Sequence, residues 1–176
     1  MKQIFTLLFS FTCFVGFSQT QKEVVNGIFV TFPTTVEYRG NTQSTTYIGK
    51  TENCLFMSLV LRNAIPNYAQ YVQAKKKWTK AEIKKVEDAF LDNAVKGKLY
   101  YLGSKGTITE IKIGEFRGRK IEYSAVNPVN GERGKRFSIM LLVRDNLVTF
   151  ECMYLKETES AKTEKDKFLN SIKTNK

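Results

Sequence analysis

The side chains able to do chemistry are few, and one type is missing. The 176-residue chain carries three cysteines and no histidine. Without imidazole there is no Ser–His or Cys–His nucleophile pair, no histidine metal ligand and no ordinary proton switch near neutral pH. Cys54 and Cys152 fall in apolar runs that read as strands, where nothing stands ready to activate a thiol. Two soft donors are too few for a closed metal site, so no metal or other cofactor is expected. In an oxidising compartment a Cys54–Cys152 bridge would close a long loop, worth up to about 4–5 kcal/mol in the chain-entropy picture. The alternative is two separate buried thiols packed as small apolar residues. Spacing in sequence cannot choose between them, because pairing requires Cα atoms within about 7 Å.

Other motifs do not rise above the ordinary. Gly103-Ser104-Lys105-Gly106-Thr107 lacks the spacing of a phosphate loop and precedes a strand rather than a helix, so it reads as a connector. No Ser-x-x-Lys occurs. Carboxylate pairs such as Glu87 with Asp88, or Glu110 with Glu115, have nothing in their spacing that separates them from a solvated surface. No catalytic set is therefore assigned.

Charge is the other chemical feature. Lys and Arg number 28 against 17 Asp and Glu, a formal net charge of +11. Lys75-Lys76-Lys77 beside Trp78 is diluted by acids in the next segment and reads as solvated. The stronger group is Arg117, Arg119 and Lys120 with Arg133, Lys135 and Arg136. If the Asn130-Gly131 hairpin forms, the two triplets are expected to approach each other across paired strands and make a tentative anion-binding face. Glu115, Glu122 and Glu132 are the neutralising alternative.

The elements that must position these groups are legible in outline. Gly27 to Phe32 is a short strand stopped by Pro33, and Thr42–Lys50 and Cys54–Leu61 form a hairpin whose second strand is apolar on both faces. Tyr68–Lys77 reads as a short helix. Thr79-Lys80-Ala81-Glu82 has capping-box spacing, and Ile83, Val86, Phe90 and Ala94 follow as one apolar stripe, with Gly97 as the stop. On that reading Phe90→Ala empties a core site and costs about 3–5 kcal/mol. Ile108–Ile113 and Lys120–Val126 are strands flanking a Gly114–Gly118 loop. Phe137–Val143 and Leu147–Leu155 are joined by the tight turn Arg144-Asp145-Asn146, with Val148, Phe150, Cys152 and Tyr154 on one face. A closing helix groups Ala161, Lys165, Phe168, Leu169 and Ile172. Antiparallel hairpins with helices between and after them give an α+β fold, an antiparallel β-sheet flanked by helices.

Residues 1–18 have a different character. Lys2 precedes an apolar run from Ile4 to Phe17, and Gly16-Phe17-Ser18 supplies small residues before Gln19. This is the layout of a secretory signal peptide, so the mature chain is expected to be residues 19–176, a single α+β domain. It is expected to be exported, periplasmic or secreted, with no transmembrane span and no nucleic-acid partner.

Three segments carry a family resemblance: Phe29-Val30-Thr31-Phe32-Pro33, the stretch from Gly114 to Tyr123 (GEFRGRKIEY), and Phe168-Leu169-Asn170-Ser171-Ile172. Over residues 26–173 the pattern resembles the PsbP-like superfamily and its bacterial envelope relatives. The resemblance implies an antiparallel sheet sandwiched by helices, with no shared catalytic residues. Members serve as assembly factors or binding modules, so fold alone does not settle function. The expectation is a non-enzymatic interaction module that binds a protein or an envelope component. The alternative is a hydrolase using carboxylate, Lys or Tyr in a cleft that sequence does not reveal.

Overall fold

The computed structural model describes residues 19–127 and 131–175. The signal-peptide expectation for 1–18 and the tip of the hairpin at 128–130 lie outside the described residues. Five strands come first: β1 (Thr20–Val25), β2 (Ile28–Phe32), β3 (Val36–Gly40), β4 (Ser44–Lys50) and β5 (Cys54–Leu61). Helices α1 (Tyr68–Lys75) and α2 (Lys80–Tyr101) follow. Then come β6 (Gly106–Ile113), β7 (Phe116–Val126), β8 (Arg133–Val143), β9 (Asn146–Tyr154), α3 (Glu159–Asn170) and a short β10 (Lys173–Thr174). The main sheet runs β3-β4-β5-β9-β8-β7-β6 and is antiparallel throughout; a smaller sheet runs β1-β2-β10. The class is α+β.

Each face of the main sheet carries its own core. On one face α3 and the small sheet cover Phe56, Phe150, Cys152, Ile139 and Leu141, with Phe168 of α3 stacked between Phe32 and Phe56 at 5.1 Å from each ring. On the other, Leu91, Val95 and Leu99 of α2 pack on Ile121, Tyr123, Met140 and Leu142. The Thr79–Glu82 capping box starts α2: the Glu82 N–H donates to Thr79 Oγ1, and the Thr79 N–H to the Glu82 carboxylate at 2.7 Å.

Several expectations are corrected here. Gly97 does not stop α2; the helix continues to Tyr101, and Gly103, at φ +56°, takes the left-handed position after it. The buried stripe is Leu91, Val95 and Leu99, not Ile83, Val86, Phe90 and Ala94. Phe90 and Ala94 are half-buried and Val86 is exposed. Both stripes have helical spacing. Polar anchors choose between them, since Asp88 and Asp92 must reach Arg119 and Lys98 must reach Glu151. β5 is central as expected, but only one of its faces is fully buried; Leu55, Met57 and Leu59 are half-exposed because α2 lies over β7 and β8 instead. The loop expected at Gly114–Gly118 shrinks to Gly114-Glu115, and β1 and β3 are additional strands.

Leu91→Ala should therefore cost more than Phe90→Ala, about 2–5 kcal/mol for a fully buried leucine. Chemical denaturation of both variants checks the order, and a larger loss for Phe90→Ala would mean that the helix is rotated.

Candidate functional site

Two polar assemblies flank α2. One is closed. Glu151, on β9, is 5% exposed and accepts four donors. Its Oε2 takes hydrogen bonds from Lys98 Nζ, from Tyr123 Oη at 2.6 Å and from Ser138 Oγ at 2.7 Å, while Arg136 Nη1 reaches Oε1 at 3.0 Å. Lys98 also donates to Ser138 Oγ at 2.8 Å and lies over the Tyr123 ring. Burial alone would raise the Glu151 carboxyl. The Lys98 charge and hydrogen bond, with those of Tyr123 and Ser138, outweigh it and hold the carboxyl down at about 2. Burial pulls Lys98 below the usual lysine range, and burial with the Glu151 charge pushes Tyr123 up. Ser138 and Lys98 are within hydrogen-bond reach, yet Ser138 is fully buried and already engaged by Glu151. This assembly fastens α2 to the sheet.

The other assembly is open. At one end of the sheet a cavity of about 380 Å³ is bounded by α1, the start of α2, the β6–β7 turn and the β8–β9 turn. On its wall Glu87 accepts from Tyr71 Oη at 2.9 Å and Lys75 Nζ at 2.7 Å, and Arg117 Nε stands 3.4 Å from its other oxygen. Burial and the Glu87 hydrogen bond push the Tyr71 phenol up to about 12. Burial would lower Lys75, but Glu87 more than compensates and raises it. Tyr68 and Tyr71 present ring surface 5.9 Å apart, and Trp78 meets Tyr71 edge-on, so α1, which buries no residue fully, is held by aromatic contacts and Glu87. Lys80 and Arg144 line the same cavity and form no ion pair among the described residues. Arg144, Glu115 and Phe116 also border a second cavity of about 340 Å³ with Asn26, Gly27, Thr174 and Asn175, so the two are neighbours along one groove.

Arg144 is the unusual residue. It opens the two-residue β8–β9 turn at φ +57°, in the left-handed region that disfavours a residue with a Cβ. The β6–β7 turn places a glycine, Gly114, at the equivalent position with φ +58°.

The six expected anion-binding residues do not form one patch. The β7–β8 register pairs Val126 with Arg133 and Gly118 with Leu141, so Arg119 faces Met140 and Arg136 faces Tyr123. The triplets sit at opposite ends of the hairpin. The two-residue strand period then divides them again, sending Arg117, Arg119 and Arg136 to the α2 face and Lys120, Arg133 and Lys135 to the other. Most have acidic partners: Arg117 with Glu87, Arg119 with Asp88 and Asp92, Lys120 with Glu122, Lys135 with Glu157, and Arg136 with Glu151; Arg133 donates to the Ser124 carbonyl. Of the six, Arg117 alone lines the open cavity. Lys75 lines it too, while Lys80, Glu87, Tyr71 and Arg144 were not singled out by sequence.

Cys54 and Cys152 are both free and buried. They lie on one face of adjacent strands, Cys54 opposite Tyr154 and Cys152 opposite Phe56, so the two thiols are diagonal neighbours. Contact with Cys54 and burial raise the Cys152 thiol, and both cysteines stand here as reduced thiols in contact. Among the described residues no helix is long and apolar enough to cross a membrane.

No protein-family model and no curated protein matches the sequence. A solved structure of PA94, a Pseudomonas aeruginosa protein of unknown function, is similar over 84% of this chain and 88% of its own, at 12% identity and a TM-score of 0.39. That similarity is too loose to carry an argument.

The Glu151 carboxyl is depressed in the folded state, from an ordinary value of 4.5 to about 2. Its contribution is therefore complete above about pH 4.5 and is lost as pH falls toward 2. Glu151→Gln should cost about 3–5 kcal/mol, because Lys98 and Arg136 keep their charges beside a neutral group. It should also flatten the fall of stability between pH 4.5 and 2. Acid titrations of both proteins by circular dichroism check this, and identical acid limbs would contradict it.

Proposed function

We propose that the chain is an exported binding module without catalytic chemistry of its own. Its end cleft receives an anionic group joined to a small flat ring, presented by an envelope component or a partner protein. The layering of α2, the seven-stranded sheet, and α3 with the small sheet supports the PsbP-like sandwich reading, and the apolar segment at 4–17 supports export.

The observation that carries the ligand class is Arg144. A side chain kept at an unfavourable backbone position, bordering two neighbouring cavities and with no ion pair among the described residues, is the signature of a turn shaped for recognition rather than stability. Lys80 adds a second cation, and Tyr68, Tyr71 and Phe116 supply ring surface for the ligand's apolar part. The Glu87 charge is already met by Lys75 and Arg117, so it does not cancel the two open cations. The hydrolase alternative needs a group that moves a proton near neutral pH. Tyr71 at about 12 and a raised Lys75 are not tuned that way, which favours binding.

Phenyl phosphate, which joins an anion to a ring, should bind the protein more tightly than inorganic phosphate does in calorimetry. Arg144→Gly should weaken phenyl phosphate binding at least tenfold while stabilising the fold by about 1 kcal/mol or more, since glycine relieves the left-handed position. Equal binding by the variant, a loss of stability, or no binding by the wild type would overturn the reading.

A further inference from the structure

The main sheet ends at β6, and among the described residues no further strand pairs with this edge. Its eight residues pair with β7 on one side without a register break, contain no proline and are mostly exposed, including Ile108 at 44%. A long, straight, unbroken edge is a template for another strand unless something blocks it. The opposite edge, β3, is only five residues long.

The hydrogen-bonding phase of β6 follows from its turn. The two-residue turn Gly114-Glu115 is closed by Ile113 and Phe116, which in such hairpins form a hydrogen-bonded pair. Odd-numbered residues of β6 thus turn their main-chain groups toward β7. Even-numbered residues, Ile108, Glu110 and Lys112, turn theirs outward.

We propose that β6 pairs with β6 of a second copy, antiparallel and about a two-fold axis at Ile111, joining two sheets edge to edge. An axis perpendicular to the sheet must place even residues opposite even residues, so that outward N–H and C=O groups meet. Centring on Ile111 satisfies this and sets Glu110 opposite Lys112 of the second copy, and Lys112 opposite its Glu110. Centring on Glu110 would instead oppose two identical carboxylates, and centring on Thr109 brings no opposite charges together. Lysine on an edge ordinarily discourages pairing; here the strand's own charge order supplies its counterion. Glu110 already has Lys84 at 3.3 Å on its own chain, so the second copy's lysine joins an existing pair on that face.

Sedimentation equilibrium of the purified protein, up to about 1 mM, tests this with three variants whose folding is verified by thermal melting. The wild type should form a reversible dimer. Glu110→Lys should weaken it at least tenfold, by placing lysines opposite one another, and the combined change Glu110→Lys/Lys112→Glu should return it to within about threefold of wild type. Glu110→Pro, which removes an outward N–H and spares the ladder to β7, should abolish the dimer without loss of fold. A monomer at every concentration would overturn the proposal. So would a dimer unaffected by Glu110→Lys or Glu110→Pro, or one that the double exchange fails to restore.

Discussion

A single carboxylate in the wrong place for an ordinary core organises this fold. Glu151 sits on β9, a central strand of the main sheet, pointing into the layer between sheet and α2 where a strand of this kind would normally offer an aliphatic side chain. An ionised carboxylate there is tolerable only if its lone pairs are met, and Lys98, Tyr123, Ser138 and Arg136 meet them from three further elements. Lys98 is the decisive partner because it belongs to α2. With Lys98 turned toward Glu151, and Asp88 and Asp92 toward Arg119, the rotation of α2 is determined: Leu91, Val95 and Leu99 face the sheet. The same rotation puts Glu87 on the wall of the end cleft, where it gathers Tyr71, Lys75 and Arg117 and secures α1.

The two polar assemblies therefore divide the work. The one around Glu151 is buried, its carboxylate is met by four donors, and it ties α2 to the sheet. Arg136 Nε within it has no hydrogen-bond partner among the described residues. The one around Glu87 forms a wall of an open cleft whose rim cations, Lys80 and Arg144, have no ion pair among the described residues. Among the described residues Asn63, Asn67 and Arg144 are the non-glycine residues with positive φ, and Arg144, on the second assembly, is the one that is not an asparagine. A scaffold fixed by buried ion pairs can support a turn in an unfavourable conformation, and the most economical account of that turn is that the arginine is wanted where it stands.

Much of the architecture was legible because it is written in short-range patterns. The capping box at Thr79, the β8–β9 hairpin, the shared face of Val148, Phe150, Cys152 and Tyr154, and the central position of Cys54–Leu61 all follow from local spacing. What sequence misplaced depends on long-range polar contacts. Ile83–Val86–Phe90–Ala94 and Leu91–Val95–Leu99 are equally good stripes by period, and only the pairing of Lys98 with a glutamate on a distant strand selects the second. The basic triplets were misjudged for two reasons: the hairpin register places them at opposite ends, and the strand period sends their members to opposite faces. One signal of the site was available. Arg144 opens a two-residue hairpin turn, a position that usually asks for glycine, asparagine or aspartate.

Recognition in the end cleft, and not on the basic strand faces that sequence alone suggested, is the proposal on which the functional reading depends. Mapping phenyl phosphate by NMR chemical-shift changes on the isotope-labelled protein tests it most directly. Shifts are expected at Tyr71, Lys80, Phe116 and Arg144, saturating together, with Lys120, Arg133 and Lys135 unmoved. Shifts confined to Lys120, Arg133 and Lys135, or spread over all exposed lysines without saturation, would contradict it.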